Sequence, residues 1–430
     1  MKRKQLLNNV SRGSTFGYQS KKLWLSAAIA LLATLPSMAQ RYAGGDMSML
    51  PKYEAANTAY KDMQGNRIDN LLDFVKNEAG FNIIRLRLFV NPKGETGVVQ
   101  DLNYVKTFGK RIKDAGLKLM LDFHYSDSWA DPSNQWTPSA WVSLSDEELY
   151  QKIYDYTKAC LEAMNEAGAT PDFIQTGNEI SYGMLWGDKK NGQGKRCYTS
   201  SDANWPRFRS LLTQAGKACR EVCPDAKIII HTERTNNVST TKGIYERLAT
   251  IDYDIIGLSY YPEWHNNLST LTNTLKTCHS SFPDKDIMIV ETGYYNNWYP
   301  SNATYNFTST WPASAEGQKK FLDDLVNAVK ELEYVKGLLY WFPEENPYNN
   351  HVYEPWYNHG LFNPNTGKVV DALFSLKPFL GNVSTALPSL QCDAVPPHHS
   401  PVYDLQGRVT NIPAGRHGIC ITNGRKTIYR

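Results

Sequence analysis

Short apolar runs separated by stretches of helical periodicity constrain this chain most. Eight such runs occur, at 43–47, 82–89, 117–124, 173–177, 227–231, 255–260, 287–290 and 337–341. Several lack polar alternation, such as Ile228-Ile229-Ile230 and Ile287-Met288-Ile289-Val290. A strand covered by helices on both faces needs no polar side, so it reads as a continuous apolar run. Between the runs, Leu149, Ile153, Tyr156, Cys160 and Met164 fall at helical spacing and predict a helix over 146–167, opened by a Ser145/Glu148 capping box and stopped at Gly168. Further helices are predicted over 102–115, 207–222 and 315–332. Eight strands alternating with helices predict an α/β protein, a (β/α)8 TIM barrel. A doubly wound open sheet is the alternative, weakened because no Gly-x-Gly-x-x-Gly turn follows any run.

The flanking segments differ in composition. Lys2, Arg3, Lys4, Arg12, Lys21 and Lys22 precede an apolar stretch over 23–35 and then Ser37-Met38-Ala39. Residues 1–39 are therefore predicted to be an export signal, the apolar stretch being short for a bilayer; an N-terminal anchor is the other reading. No second long apolar run is present, so no transmembrane span is expected in the mature chain. The barrel is assigned to 40–380, a linker rich in Ser, Pro and His to 381–401, and a short β-rich tail to 402–430. At 41% hydrophobic, 430 residues suffice for one large core, whereas the tail is too small for a substantial one. A net charge of +3 provides no field to gather polyanions, so no nucleic-acid partner is expected. Seven scattered cysteines, an odd number, do not resemble a disulfide scaffold and read as small buried side chains. The 26 tyrosines and 11 tryptophans suit sugar rings, and equally an aromatic core.

Barrel enzymes carry their chemistry at the C-terminal ends of the strands. There the sequence offers Asp46; Arg85 and Arg87, two apart and so on one side; His124 to Trp129; Asn178-Glu179; His231 and Glu233; Tyr260-Tyr261 with Trp264 and His265; Glu291; and Tyr340-Trp341. Glu179 and Glu291 end the fourth and seventh runs, so their side chains can face each other across one mouth. Retaining glycoside hydrolysis needs such a pair about 5–5.5 Å apart, one protonated and one ionised. Burial and mutual repulsion separate their pKa values in that sense. Glu233, Glu344 and Glu345 also follow runs, and spacing alone leaves them open. Asp46, His124 and His231 could instead bind a divalent metal, although the chain has neither a His-x-His after the first run nor a His-x-x-x-His helix. Otherwise these histidines bond sugar hydroxyls or hold the carboxylates.

Longer motifs narrow the reading. Thr176-Gly177-Asn178-Glu179-Ile180 and Ile289-Val290-Glu291-Thr292-Gly293-Tyr294 resemble the two catalytic motifs of the large retaining glycosidase clan A. Gly45-Asp46-Met47-Ser48, Arg85-Leu86-Arg87-Leu88-Phe89-Val90-Asn91-Pro92, His124-Tyr125-Ser126-Asp127-Ser128-Trp129-Ala130-Asp131-Pro132 and Ser259-Tyr260-Tyr261-Pro262-Glu263-Trp264-His265, with Gly183 and Trp186, resemble glycoside hydrolase family 53, the arabinogalactan endo-β-1,4-galactanases. The resemblance covers nearly all of 43–380. It implies that Glu179 is the acid/base and Glu291 the nucleophile. It places Asn178 on the 2-hydroxyl of the sugar being cleaved, Arg85 and His124 around that sugar, Tyr260 close to the nucleophile and Trp341 as a stacking floor. Asp127, Trp129 and Trp136 would meet further galactose units, and His231 and Trp264 complete the substrate-binding set. The implied substrate is β-1,4-galactan from pectin side chains, cut by an exported enzyme that requires no cofactor; a monomer is expected. Within the clan, a β-mannanase or xylanase is the alternative, and outside catalysis a carbohydrate-binding barrel.

Two features depart from the family. Trp341-Phe342-Pro343-Glu344-Glu345-Asn346 stands where the family shows Trp-Glu-Pro. The loop 294–312, where bacterial members often bind calcium, has Asn296, Asn297, Asn302 and Asn306 but no Asp cluster. Calcium needs several anionic oxygen ligands, so a structural calcium there is not supported. In the tail, Tyr403-Asp404-Leu405-Gln406-Gly407-Arg408 resembles the C-terminal sorting or β-sandwich tails of exported Bacteroidetes proteins.

Overall fold

The computed structural model describes residues 40–95, 97–191, 202–349, 352 and 358–381, and the backbone of four short strands between residues 402 and 429. Residues 1–39, and the linker beyond Gly381, lie outside the described residues.

Every predicted run forms a strand: β1 (Tyr42–Asp46), β2 (Ile83–Leu88), β3 (Lys118–Phe123), β4 (Phe173–Thr176), β5 (Lys227–Thr232), β6 (Ile255–Tyr260), β7 (Asp286–Thr292) and β8 (Val335–Trp341). Each pairs in parallel with the next, and β8 pairs with β1, so the sheet closes into a barrel. Closure overturns the open-sheet alternative. The last two strands extend beyond the runs because Asp286, Glu291 and Thr292 are polar yet pair with β6, and Val335 pairs with Ile287 across the irregularity at Lys336.

Helices α1 (Leu50–Ala55), α2 (Leu71–Asn77), α3 (Leu102–Asp114), α4 (Asp146–Glu166), α5 (Trp205–Val222), α6 (Val238–Arg247), α7 (Pro262–His265), α8 (Leu268–Ser281) and α9 (Ala315–Val329) connect the strands. Ser145 caps α4 through the reciprocal bonds with Glu148. Helix α5 starts two residues earlier than predicted, since Pro206 fits the first turn, where its missing N–H costs nothing.

Apolar side chains pack in two shells. Outward strand residues meet the helices in one large cluster. Inward, Ile83, Met120, Phe173, Ile229, Ile255, Met288, Val290 and Leu339 fill the barrel. Gly337 leaves room for this filling, because a Cβ there would stand 2.0 Å from Met288 Cε. Two residues further along their strands, the same inward face turns polar: Arg85 follows Ile83, Asp122 follows Met120, Gln175 follows Phe173, and His231 follows Ile229.

Strand β7 breaks this alternation. Met288 and Val290 both point inward, so strict alternation would send Glu291 out toward the helices. The register with β6 shifts here: Leu258 pairs with Ile289, but Ser259 pairs with Glu291. Val290 is thus an extra residue, and the bulge turns Glu291 back into the barrel mouth.

The chain divides after Gly381. The second unit contains β9 (Val402–Tyr403), β10 (Val409–Thr410), β11 (Gly418–Thr422) and β12 (Arg425–Tyr429), an antiparallel sheet in the order β10-β9-β11-β12. Among the described residues no helix is long and apolar enough to cross a membrane. Cys160, Cys219, Cys223 and Cys278 are free thiols buried in the cluster between the strands and the helices.

Candidate active site

A cleft of about 1160 Å³ opens at the C-terminal ends of the strands and holds both Glu179 and Glu291. The chain turns sharply as it leaves the sheet. Glu179 follows β4 in the left-handed region, at φ 48° and ψ 52°, and Tyr125 and Phe342 do the same after β3 and β8. A non-glycine residue held there costs on the order of 1–3 kcal/mol, and such strain concentrates at working sites.

Glu291 lies in a charged net. Its Oε1 is 2.8 Å from Arg85 Nη1, and its Oε2 accepts from Tyr261 Oη at 3.2 Å. Arg85, 1% exposed, also donates to Asp46 (3.0 Å), Asp122 (2.8 Å) and Asn178 Oδ1 (2.7 Å). Asp46 is held further by Arg87 at 2.9 Å. Asn178 Nδ2 donates to the Ala130 carbonyl at 2.8 Å, so its amide orientation is fixed. A planar guanidinium with several donors suits such multiple anchoring.

Glu179 has a different environment. Its Oε1 accepts from the Ser259 hydroxyl at 2.6 Å, a neutral donor. Burial pushes both glutamates upward. Arg85 opposes this for Glu291 and leaves it at about 7. Glu179 meets the negative charge of Glu291 instead and stands well above the usual carboxylate range. One proton shared between the two therefore resides on Glu179, while Glu291 ionises first.

Of the residues predicted to bind substrate, Arg85, His124, Trp129, Asn178, Trp264 and Trp341 line this cleft. Trp129 lies under the Arg87 guanidinium at 4.7 Å and edge-on to Trp341 at 6.3 Å. The other four lie elsewhere. Tyr260 is fully buried, and its hydroxyl donates to the Asn266 carbonyl at 2.9 Å. Strand alternation sends Ser259 and Tyr261 to the inner side and Tyr260 outward, so Tyr261 is the neighbour of Glu291. His231 is fully buried below the cleft, with its ring nitrogens bonded to Gln175 and Ser259 within the protein. Asp127 Oδ2 caps Ser139 (2.9 Å to N, 2.7 Å to Oγ). Trp136 packs edge-on against Trp186 at 5.3 Å. Neither of these last two is a cleft residue.

The remaining glutamates now separate. Glu344 Oε1 accepts from the Met49 amide at 2.9 Å, and Glu345 accepts from the amides of His359 and Gly360; both are buried loop anchors. Glu233 lines the cleft and accepts from Ser181 Oγ at 2.7 Å. His124 donates its ring bond to Asp122 at 3.1 Å and accepts from the Ala130 amide at 3.1 Å, which commits it to the protein rather than to a metal. Sequence reasoning missed Asp122, Gln175, Ser259 and the role of Tyr261. Their signal was parity: each stands an even number of residues from another inward side chain on its strand.

The sequence matches the family model of glycosyl hydrolase family 53 over residues 42–376. A probable arabinogalactan endo-β-1,4-galactanase A of Neosartorya fischeri is 33% identical over 341 residues, covering 75% of this chain and 89% of that protein. The arabinogalactan endo-β-1,4-galactanase of Cellvibrio japonicus is 31% identical over 340 residues, covering 75% and 87%. The GH53 catalytic domain of Ignisphaera aggregans shares the fold at a TM-score of 0.69 and 33% identity, covering 80% of this chain and 97% of that domain. With the match running from the first barrel strand to the end of the barrel unit, and two unequal carboxylates in its mouth, this chain belongs to glycosyl hydrolase family 53 and is a glycoside hydrolase.

Proposed function

We propose that the enzyme cleaves internal β-1,4-galactosidic linkages of galactan, such as the arabinogalactan side chains of pectin, with retention of configuration. The names of its relatives support the substrate. The observation that carries the mechanism is the unequal setting of the two carboxyls: an arginine beside Glu291, a hydroxyl beside Glu179. Glu291 attacks the anomeric carbon while Glu179 protonates the departing oxygen. A covalent glycosyl-enzyme forms, and water activated by Glu179 then releases the sugar. Asn178 is assigned to the 2-hydroxyl, where a hydrogen bond strengthens toward the transition state. Trp341 and Trp129 offer apolar faces to the rings. The mechanism draws on side chains alone and calls on no cofactor.

Export is part of the proposal and rests on the basic and apolar character of residues 1–39.

Reducing-sugar release from pure galactan, mannan and xylan tests the reading. Galactan is expected to be cleaved; galactan left intact beside cleaved mannan would overturn the substrate. Glu291→Gln is expected to lose at least about a thousandfold in kcat, and activity within about tenfold of wild type would overturn the nucleophile.

A further inference from the structure

We propose that His231 and Ser259 form a one-way hydrogen-bond chain that keeps the acid proton of Glu179 on its Oε2 oxygen. The proposal rests on the assignment of Glu179 as the acid. Both side chains are fully buried and act through Glu179, so they are positioning residues.

The direction of the chain is set at its far end. Burial raises Asp122, but Arg85 and His124 outweigh it and hold the group below its usual range, so it is ionised and only accepts. Gln175 Nε2 lies 2.6 Å from Asp122 Oδ1, which fixes the amide with its NH2 on that side. The same Nε2 stands 3.0 Å from His231 Nδ1, and the backbone N–H of Glu179 reaches that nitrogen at 3.3 Å. Two donors meet at Nδ1, so Nδ1 accepts. Asn178 Oδ1 also lies 3.1 Å away and has a second lone pair, but a proton on Nδ1 would set the Glu179 N–H and the Gln175 amide against another donor. Burial and the Arg85 charge keep the imidazole neutral, and its single proton is therefore on Nε2.

From there the order is forced. Nε2–H donates to Ser259 Oγ at 2.8 Å, and the single Ser259 proton is left for Glu179 Oε1 at 2.6 Å. The carbonyl oxygen of a carboxylic acid accepts far better than its hydroxyl oxygen, so a donor held on Oε1 in both protonation states places the acid proton on Oε2. In the first half-reaction the Oε2–H bond breaks and the proton passes to the glycosidic oxygen. The C1–O bond breaks with its electron pair staying on that oxygen, and an oxygen of Glu291 bonds to C1. In the second half-reaction water bonds to C1, its proton goes to Oε2, and Glu291 leaves as carboxylate. Ser259 donates to Oε1 throughout, so no hydroxyl rotation or imidazole tautomer change separates the two halves.

The test is Ser259→Ala in the full chain, assayed on galactan and on a nitrophenyl β-galactobioside, whose leaving group departs without a proton. Galactan kcat is expected to fall about ten- to hundredfold, against about threefold or less on the aryl substrate. The basic limb of kcat/KM should move to higher pH, because a carboxylate deprived of its donor holds its proton more tightly. Ser259→Thr, which keeps a hydroxyl, should recover most of the galactan activity. Equal losses on both substrates with an unshifted pH profile, or galactan turnover within about threefold of wild type, would overturn the chain. Ring 15N NMR of the wild-type protein decides independently of whether the alanine variant folds: an Nε2–H tautomer at His231 supports the chain, and an Nδ1–H tautomer overturns it. Wild-type enzyme that spares galactan but cleaves another β-glycan removes only the substrate assignment, and the same comparison on that glycan still decides the chain.

Discussion

Asp172 and Glu179 are carboxylates on either side of the same short strand, β4, and the fold treats them in opposite ways. Asp172, at the N-terminal mouth, receives Lys113 at 2.6 Å, Lys118 at 2.7 Å and the Leu119 amide at 2.9 Å. Burial alone would raise it, but these contacts outweigh burial and lower it. Asp254, just before β6, repeats the pattern with Arg220 at 2.9 Å and the Ile228 amide at 2.8 Å. Glu179, at the other mouth, has a hydroxyl and a like charge, and it is raised. Glu233 and Glu263 at that mouth are also raised, each to about 7, mainly by burial. One end of the barrel pairs its carboxylates to hold the fold. The other leaves them underpaired, which makes protons available near neutral pH and draws on stability supplied elsewhere.

Arg85 is the exception at the active mouth, and its removal should break the contrast most severely. Arg85→Met leaves Asp46, Asp122 and Glu291 without their shared cation. Stripping one partner from a buried ionic net costs about 3–5 kcal/mol, which a denaturant melt would register. The variant should also move the acid limb of kcat/KM to higher pH, because Glu291 loses the charge that lowers its pKa. A limb that stays in place would show that Arg85 does not set the ionisation of the nucleophile.

A smaller effect is expected at Glu263, which is 1% exposed and has one oxygen 2.5 Å from Tyr295 Oη. Its pKa rises from 4.5 to about 7 on folding, so the folded state favours its protonated form. That preference is fully present below pH 4.5 and is lost as pH rises toward 7. Glu263→Gln should therefore gain up to about 3 kcal/mol over wild type at pH 7, with the gap closing near pH 4.5. Thermal melts at the two pH values check the sign; an equal gap at both would contradict it.

The smallest effect belongs to the structural end. Asp172→Asn should lose about 1 kcal/mol at pH 7, since the lysines are partly exposed and screened. Asp172 is lowered from 3.8, so its contribution is present above that pH and disappears as acid titrates the folded carboxylate. Melts of the variant and the wild type should converge in acid, and catalysis should be unaffected throughout.

The same two ends differ in how readily the sequence discloses them. The strands announce themselves because helices cover their outer face and apolar residues such as Ile83, Met120 and Ile229 fill the inner one, leaving unbroken runs. Glu179 and Glu291 stand out as acids closing such runs. Strict alternation, however, aims Glu291 at the helices, and the bulge at Val290 that corrects it leaves no periodic trace. Ser259 and Tyr261 were hidden by Tyr260, a residue of the same kind on the wrong face of the strand. Asp122 lies inside an apolar run, where a lone acid signals nothing until Arg85 is seen against it. Trp136 and Asp127 were placed at the cleft because a long loop after a strand says that its side chains are near the mouth, not which of them face it.

The left-handed backbone at Glu179 has an evolutionary corollary. Glycine is at ease in that conformation and glutamate is not, so Glu179→Gly relaxes the turn in the same stroke that abolishes the acid. Directed evolution of this barrel for heat resistance, screened on folding alone, would drift toward inert descendants; only a screen that also counts turnovers retains the strained residue.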